Sequence, residues 1–367
     1  MKRIVTVFGT RPEAIKLAPV IIELQRHVER MENLVCVTAQ HREMLDQVLD
    51  WFQIKPHIDL DLMKPDQGLP EFVSDALLAV HKMLRELKPD LVLVQGDTAT
   101  VMVTALAAFY LHIPVGHVEA GLRTRELYDP FPEEINRRMA GVLSTYHFAP
   151  TARAAAALRA EKIPEQNIFF TGNTVVDALL MTVNRPLASR LDVAEDGHRR
   201  IILVTAHRRE SFGAPFESLC LALNDIAERN HDVQIVYPVH LNPNVRDPVF
   251  RLLGGHERIS LINPLRYEQF AHLMSRAYLI LTDSGGIQEE APVLGKPTLV
   301  MRATTERPEA IEAGTARLVG TDRGRIVAET ERLLSDASAY SRMACAGSPF
   351  GDGHAAERIV NALLGRL

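Results

Sequence analysis

Residues 4–16 have the sequence IVTVFGTRPEAIK, a short apolar and β-branched run that ends in a glycine and is followed by a proline. The run at 4–8 has the composition of a buried β-strand. Gly9 permits a tight turn, and Pro12 is typical of the first turn of a helix. The stretch therefore predicts a strand, a turn and a helix, which is the unit from which parallel sheets covered by helices are built.

The same alternation of short β-branched runs and longer amphipathic segments continues along the whole chain. In the first half, strands are predicted at 4–8, 34–38, 91–95, 115–118, 146–148 and 168–171, with helices that begin near 12, 42, 69, 99, 133 and 151. In the second half, strands are predicted at 201–205, 234–237, 259–262, 278–282 and 298–301, with helices at 216–229, 267–275, 287–294, 322–334 and 354–367. This order predicts an α/β protein with two doubly wound, Rossmann-like domains.

The length supports the same division, since 367 residues exceed the roughly 250 that one hydrophobic core usually serves. A polar stretch at 184–200 has no regular apolar period and separates the two series of predicted strands. We therefore expect two domains that are joined near residues 172–200.

Composition excludes several classes of protein. Charged residues make up 24% of the chain and the net charge is −5, so neither disorder nor binding to a nucleic-acid backbone is expected. The cysteines at 36, 220 and 345 are far apart, which argues against a disulfide scaffold or a thiolate zinc site. The apolar segment at 101–111 is too short to cross a bilayer, and the apolar run at 4–8 stops at Gly9, so no signal peptide is expected there. We expect a soluble, cytoplasmic protein that binds neither nucleic acid nor membranes.

Polar and titratable residues follow the strongest predicted strands. In open α/β sheets, ligands bind beyond the carboxyl ends of the strands. In the first half these positions are 9–16, 96–98 and 119–123, and in the second half they are 207–210, 240–243 and 283–286. Both halves thus present functional groups at the same kind of sheet edge, and we expect an active site in the cleft between the two domains.

The turn after the first strand is a candidate anion site. Arg11 precedes the predicted helix start and Lys16 lies one turn inside it. Free N–H groups and a partial positive charge at a helix N-terminus add to these cations. The alternative is an ordinary strand-to-helix turn with two surface cations.

A stronger local signal lies at 283–290, DSGGIQEE. Gly285 and Gly286 let the backbone approach a ligand closely, and Ser284 can donate to a phosphate. Glu289 and Glu290 can accept hydrogen bonds from ribose hydroxyls. The combination predicts a clamp for a nucleoside diphosphate, and the alternative is acidic residues that stabilise the start of a helix.

Asp97, Glu119, Glu133 and His207 are candidates for general acid–base chemistry. The alternatives are solvated charges at strand ends and, for Glu133, a charge that stabilises a helix start. Metal binding is not predicted, because the chain has no His-Glu-x-x-His motif and 117–119 has no third ligand nearby. No NAD site is predicted either, since the glycine-rich string at 351–356 does not follow a strand. We expect no cofactor.

Taken together, the motifs of the chain resemble those of the non-hydrolysing UDP-N-acetylglucosamine 2-epimerases. The strings that carry the resemblance span nearly the whole chain in order: VFGTRPEAIK at 7–16, TAQHREMLDQ at 38–47, GHVEAGLR at 116–123, TGNT at 171–174, HRRES at 207–211, PVHLNP at 238–243, DSGGIQEE at 283–290 and TERPE at 305–309.

This resemblance implies a GT-B architecture, with domains at 1–172 and 173–353 and a last helix, 354–367, that packs back on the first domain. It also implies a homodimeric isomerase that interconverts UDP-GlcNAc and UDP-ManNAc for surface-polysaccharide synthesis. By motif position, the catalytic residues are Asp97, Glu119, Glu133 and His207. The residues that hold UDP are Arg11, Lys16, Phe270, Ser284, Gly285, Gly286, Glu290 and Arg307.

The resemblance also implies a second, regulatory UDP-GlcNAc site beside the catalytic one. Gln40, His41, Arg208 and His240 have corresponding positions, while Leu69 stands where some relatives carry arginine. Which arginine of Arg208 and Arg209 takes part is left open.

The chemistry of the sugar limits the mechanism. The C2 proton is not α to a carbonyl, so either C3 is transiently oxidised by NAD or UDP leaves first. Without an NAD fingerprint, we predict anti elimination of UDP to 2-acetamidoglucal, then re-addition with a proton delivered to the opposite face of C2. Which carboxylate is base and which is acid stays open. Rival functions are a retaining glycosyltransferase, a hydrolysing epimerase that releases ManNAc and UDP, and a non-catalytic UDP-sugar-binding module.

Overall fold

The computed structural model describes residues 1–38, 42–64, 66–124, 126–187 and 199–367, with no side-chain description at 42 and 43. The chain divides into two compact units, one formed by residues 1–181 and 350–367 and the other by residues 182–349. The first unit therefore includes most of the helix Thr174–Val183, which a boundary at 172 assigns to the second domain.

Strands and helices alternate along the chain. The strands are β1 Lys2–Phe8, β2 Met31–Val37, β3 Ile58–Asp59, β4 Leu91–Gln95, β5 Val115–Val118, β6 Tyr146–Ala149, β7 Ile168–Phe170, β8 Arg200–Thr205, β9 Val233–Pro238, β10 Ile259–Ile262, β11 Leu279–Thr282, β12 Thr298–Val300 and β13 Ala316–Leu318. The helices are α1 Arg11–Gln25, α2 Arg42–Phe52, α3 Leu69–Leu87, α4 Ala99–Tyr110, α5 Glu133–Leu143, α6 Ala152–Ala160, α7 Thr174–Val183, α8 Ala214–Arg229, α9 Pro243–Leu253, α10 Tyr267–Arg276, α11 Gly285–Glu290, α12 Pro308–Glu312, α13 Arg323–Ser335, α14 Ala337–Ala344 and α15 Ala355–Leu364.

Each unit contains one parallel sheet. Among the described residues, the first sheet has the order β3-β2-β1-β4-β5-β6-β7 and the second has the order β10-β9-β8-β11-β12-β13. Strand order reverses between β1 and β4 in the first sheet and between β8 and β11 in the second. Two loops diverge at such a switch point and leave room for a ligand at the carboxyl edge. The predicted α/β class with two doubly wound sheets is confirmed.

The central strands are buried on both faces, which explains why their sequences are continuous apolar runs rather than alternating ones. In the first unit, β4 is buried along its whole length between flanking helices. Helix α15 packs against α1, and the Asp177 carboxylate accepts a hydrogen bond of 2.8 Å from the Ala356 N–H near the start of α15. The end of the chain thus completes the packing of the first unit.

The most apolar segment noted in the sequence is held in α4, a helix of 12 residues that packs between α3 and α5. Most of its apolar side chains are covered by these neighbours, so protein packing accounts for their hydrophobicity, whereas Phe109 and Tyr110 near its end are exposed. Within the described ranges, no helix combines the length and the apolarity needed to cross a bilayer.

Several elements are not predicted by the sequence, and for β3, β13 and α9 the structure shows the physical reason. The strands β3 and β13 have two and three residues, too few to show a period. Helix α9 contains Pro243 and Pro248, which indicate a turn when read locally, but Pro243 occupies the helix start after the Asn242 cap. The helices α7, α12 and α14 were also missed. The predicted helix at 287–294 is α11 followed by a 3-10 turn, Ala291–Leu294.

Candidate active site

Glu119 follows β5 directly and is 8% exposed. The Lys16 Nζ lies 2.5 Å from Glu119 Oε1, and the Asn173 side-chain amide donates to the same oxygen at 3.1 Å. The Gln95 side-chain amide donates to the other oxygen, Oε2. Donors from three separate elements, α1, β4 and the turn before α7, therefore fix the orientation of this carboxylate.

The backbone around Glu119 is strained. Its φ is +66°, in the left-handed region that costs roughly 1–2 kcal/mol for a residue with a side chain. Gly121, two residues on, has a φ of +92°, and a Cβ there would collide with the carbonyl oxygen of Ala154 in α6. Strain of this kind persists where surrounding contacts hold a functional group in place.

Asp97 lies in the turn between β4 and α4. Its Oδ2 accepts two hydrogen bonds from the Arg137 guanidinium of α5, at 2.5 Å from Nη2 and 3.1 Å from Nε. The Asn136 side chain also donates to the Asp97 carbonyl oxygen at 3.0 Å. The charge at this strand end is thus balanced by an arginine that the sequence pattern did not indicate.

Glu133 and Glu134 begin α5 but have different surroundings. Glu134 is fully buried and accepts from the Thr124 N–H at 3.1 Å and from Arg138 Nε at 2.8 Å. Burial alone would raise the pKa of Glu134, but these hydrogen bonds and the charge of Arg137 outweigh it and lower the pKa. Glu133 is half-buried, and its Oε2 has no hydrogen-bond partner among the described residues. Glu133 Oε2 can therefore still accept a hydrogen bond, whereas Glu134 binds the backbone of the preceding loop at Thr124.

Glu13 is not among the predicted site residues, although Thr10-Arg11-Pro12-Glu13 has the Thr-x-x-Glu spacing of a capping box. It is 2% exposed, and its Oε2 accepts from the N–H groups of Gly9 at 3.2 Å and Thr10 at 2.8 Å. Its Oε1 accepts from the Thr98 hydroxyl at 2.8 Å. Glu13 therefore joins the loops after β1 and β4, and burial raises its pKa to about 7.

Two histidines are buried behind the turn that carries Asp97. The ring nitrogen Nε2 of His117 lies 2.7 Å from the Gly96 carbonyl oxygen. Burial lowers the pKa of both His117 and His147 to about 4, so both rings are neutral at neutral pH. Since a carbonyl accepts, Nε2 of His117 must carry the proton and donate. Among the residues described, no group of three His, Cys, Asp or Glu side chains is arranged to hold a metal ion.

The second unit presents His207 after β8 and Asp283 after β11. The His207 ring stacks on the His240 ring, with centroids 5.5 Å apart and an angle of 11° between the planes. Asp283 lies 3.4 Å from the ring of His207, measured from Oδ1 to Nδ1. The pKa of His207 is lowered by burial, with Asp283 acting in the opposite direction.

Helix α11 begins in the glycine pair beyond Ser284, whose hydroxyl does not cap the helix in the described structure. Arg307 forms an ion pair with Glu289 of α11. The Arg307 N–H donates to the Thr305 hydroxyl at 3.0 Å, and this hydroxyl donates to the Gln288 side chain at 2.6 Å. These contacts hold the loop that carries Arg307 against α11.

The remaining predicted residues have the following places. Arg11 is half-buried at the start of α1, Phe270 is half-buried on α10, Glu290 is buried at the end of α11, and Arg208 lies 3.9 Å from Glu306. Gln40 and His41 lie outside the described residues. The first unit thus brings Lys16 to Glu119, and the second brings His240 to His207.

Comparison with known proteins gives matches over nearly the whole chain. The family model described as UDP-N-acetylglucosamine 2-epimerase matches residues 23–364. The UDP-N-acetylglucosamine 2-epimerase of Salmonella typhimurium is 57% identical over 369 residues, with 98% of each chain covered.

Solved structures agree. The structure of UDP-GlcNAc 2-epimerase from Neisseria meningitidis bound to UDP-GlcNAc has a TM-score of 0.90 and 47% identity, and covers 99% of this chain and 100% of that one. The structure of S. aureus MnaA with UDP has a TM-score of 0.90 and 46% identity, covering 100% and 97%. These similarities confirm the predicted fold class.

Replacing Glu13 by Gln is expected to change how stability depends on pH. A carboxyl with a pKa of about 7 in the fold, against an ordinary value of 4.5, keeps a proton that the unfolded chain has lost. The free energy of unfolding therefore decreases between these pH values, by about 3 kcal/mol at most, and Glu13→Gln removes this decrease. Urea unfolding across this pH interval should favour Glu13→Gln over the parent increasingly as pH rises.

Glu165→Gln is the matched control in the same unit. The pKa of the exposed Glu165 is lowered, mainly by the hydrogen bond from Arg159. This carboxylate therefore causes no decrease in the free energy of unfolding over the pH interval in which Glu13 does. Parallel pH curves for the parent and Glu13→Gln would contradict the prediction.

Proposed function

Because the chain belongs to the UDP-N-acetylglucosamine 2-epimerase family, we propose that it reversibly inverts C2 of UDP-GlcNAc to give UDP-ManNAc without hydrolysis. The observation that carries the proposal is the strained, buried Glu119, whose carboxylate is fixed by Lys16 and two side-chain amides. A module that only binds an anion has no need of such a carboxylate. The solved relative with UDP-GlcNAc bound supports the same substrate class.

The reaction proceeds by anti elimination and re-addition. A base removes the C2 proton while the C1–O bond to the diphosphate breaks, which gives 2-acetamidoglucal and UDP. UDP then adds back at C1 as a proton is delivered to the opposite face of C2. The sequence of steps needs no oxidant, because the bonding electrons of the C2–H bond form the C1=C2 double bond and those of the C1–O bond leave with UDP.

The carboxylates of the first unit handle the protons. Removal at one face of C2 and delivery at the other require groups on both faces, and Asp97, Glu119 and Glu133 supply them and orient the sugar. The ion pairs of Asp97 with Arg137 and of Glu119 with Lys16 keep two of these groups oriented. The Oε2 of Glu133, which has no hydrogen-bond partner in the part of the chain that the structure describes, offers a further acceptor.

The diphosphate is stabilised by cations and by donors of the glycine turn. Arg11, Lys16 and Arg307 supply positive charge, and Ser284, Gly285 and Gly286 supply hydroxyl and N–H donors. Phe270 contacts the nucleoside, Glu290 accepts from the ribose hydroxyls, and His207 binds or protonates near the diphosphate. Lys16 and Arg307 each carry a carboxylate partner, so each cation serves two anions when UDP is bound.

Solvent exchange and product identity test the reaction. With UDP-GlcNAc as the sole sugar in D2O, we expect UDP-ManNAc that carries deuterium at C2, because the delivered proton comes from a group that exchanges with solvent. Mass spectrometry and proton NMR measure both. A product without deuterium at C2 would rule out the elimination route, free ManNAc with UDP would show a hydrolysing enzyme, and unchanged UDP-GlcNAc would favour a glycosyltransferase or a binding module.

Carboxamide variants separate proton transfer from binding. Asp97→Asn and Glu119→Gln should lower kcat by about 100-fold or more, since general acid–base groups contribute 10²–10⁴-fold. Their dissociation constants for UDP should stay within about threefold, while Arg307→Ala should weaken UDP binding by about tenfold or more, as expected for a charged hydrogen bond. Steady-state kinetics and UDP calorimetry measure the two effects.

Asp90→Asn is the control, because this carboxylate pairs with Lys2 at the other end of the strands. Asp90→Asn should alter neither kcat nor the dissociation constant for UDP. Full turnover by Glu119→Gln would overturn the assignment of Glu119.

A second copy of the chain is the proposed partner of an exposed apolar face, formed by Ile135, Met139 and Val142 of α5 with Phe109 and Tyr110 of α4. The α5 residues lie on one side of the helix, and Val142 is 81% exposed. Contiguous apolar surface of this kind is typical of protein interfaces. We therefore propose that the expected homodimer forms through this face.

Val142→Glu is expected to lower the molar mass in solution from twice 40.9 kDa to 40.9 kDa, because it places a charge in the interface. Light scattering after gel filtration measures it. Val28→Glu, at another exposed valine of the same unit, should leave the dimer intact. A parent chain that is already monomeric would refute the assignment.

We further propose that UDP-ManNAc supplies surface-polysaccharide synthesis and that a second UDP-GlcNAc binds as activator near Arg208 and His240. The stacking of His240 on His207 would connect such a site to the proposed catalytic histidine.

A further inference from the structure

Asp283 is 1% exposed and follows β11 at the switch point of the second sheet. Its Oδ2 accepts two backbone hydrogen bonds, from the His207 N–H at 2.6 Å and from the Arg208 N–H at 2.7 Å. Both donors belong to the loop after β8. One carboxylate oxygen is thus fully used in holding this loop.

The other carboxylate oxygen of Asp283, Oδ1, indicates an interaction with His207. Oδ1 is buried, has no hydrogen-bond partner among the described residues, and lies 3.4 Å from Nδ1 of His207. A buried carboxylate oxygen without a donor is costly. The His207 side chain is 41% exposed, so its imidazole has room to rotate, and an Nδ1–H group would then donate to Oδ1.

We propose that Asp283 is a positioning residue that holds His207 in the Nδ1–H tautomer and stabilises its protonated form. Nε2 of His207 is then the nitrogen presented to the substrate, as acceptor when the ring is neutral and as donor when it is charged. The proposal rests on the proposed catalytic part of His207 and deepens it. Asp283 would then do more than stabilise the start of a helix, because it would also position His207.

The surroundings of His207 set the direction of its titration. Three charged or titratable side chains affect it: Asp283 after β11, His240 after β9 and the adjacent Arg208. Burial lowers the pKa of His207 most, His240 and Arg208 lower it further, and Asp283 opposes them. Removing the Asp283 charge must therefore lower this pKa still more.

The substitution Asp283→Asn distinguishes two roles of Asp283, which are positioning the His207 ring and holding the loop after β8. The amide oxygen can still accept from both backbone N–H groups, so the loop after β8 keeps its hydrogen bonds. The amide NH2 replaces Oδ1 and can only donate to Nδ1, which forces the Nε2–H tautomer on His207. Loop structure is preserved while the tautomer is reversed.

The first measurement is 15N NMR of the histidine rings, with His207 assigned by the signal that is lost in His207→Asn. The parent should show the Nδ1–H tautomer in its neutral form. Asp283→Asn should show Nε2–H and a lower pKa for His207. An Nε2–H tautomer in the parent would overturn the proposal without any variant at Asp283, so the outcome does not depend on whether Asp283→Asn folds.

The second measurement is epimerisation of UDP-GlcNAc. Asp283→Asn should lower kcat by about 100-fold with KM within about threefold, in the range of general acid–base effects. In the His207→Asn background the same substitution should change kcat by less than about twofold, because Asp283 acts through His207. An equal loss of kcat in the parent and in the His207→Asn background would mean that Asp283 has only a structural role, and it would overturn the proposal.

Asp225→Asn is the matched control. Asp225 forms two hydrogen bonds of 2.6 Å with Arg323 in the same unit. Its loss should change neither kcat nor the His207 tautomer. A parent chain that does not convert UDP-GlcNAc would refute the proposed function, whereas the tautomer would still decide the part of Asp283.

Discussion

Carboxylates buried at the ends of parallel strands need hydrogen-bond donors, and this need shapes both candidate sites. Glu13, Glu119 and Asp283 are nearly inaccessible to solvent. Each accepts hydrogen bonds from neighbouring elements: from N–H and hydroxyl groups at Glu13, from an ammonium and two amides at Glu119, and from two N–H groups at one oxygen of Asp283. Because the donors come from separate elements, the carboxylates fix the loops relative to the sheet within each unit.

Local pairing also shows how a chain of net charge −5 can orient the cations that we propose to bind the diphosphate. Lys16 and Arg307 are each bound to a carboxylate, Glu119 and Glu289. A cation with a fixed partner is oriented before a ligand arrives, so less conformational entropy is lost on binding. The total charge of the chain has no bearing on this arrangement, which depends on distances of a few ångströms.

Sequence predicted the strands well where burial dictates composition. The strands Leu91–Gln95 and Val115–Val118 have the predicted bounds, because strands that are buried along their whole length are poor in exposed polar residues. The strand Ile259–Ile262 also has the predicted bounds, although it lies at a sheet edge and is mostly half-buried. Asp97, Glu119 and His207 were indicated by their places after predicted strands and then by the motif resemblance. Neither signal could reveal Arg137, Asn173 or Gln95 as their partners, since contacts such as that of Asn173 with Glu119 join residues 54 positions apart and arise only in the fold. The positive φ of Glu119 likewise has no signature in residue type.

Glu13 and Asp283 each lie at the switch point of the sheet in their own unit. Glu13 reaches from the helix after β1 to Thr98 in the loop after β4, and Asp283 reaches from the end of β11 to the loop after β8. Each carboxylate thus joins the two loops that diverge at a switch point. Glu13 belongs to the segment after the first strand of its pair, β1, whereas Asp283 follows the second strand of its pair, β11. A crevice between diverging loops widens easily unless something connects them, and in each unit a buried carboxylate does so next to a residue proposed for catalysis, Asp97 or His207. In the second unit, the carboxylate that connects these loops is also the residue proposed to position His207.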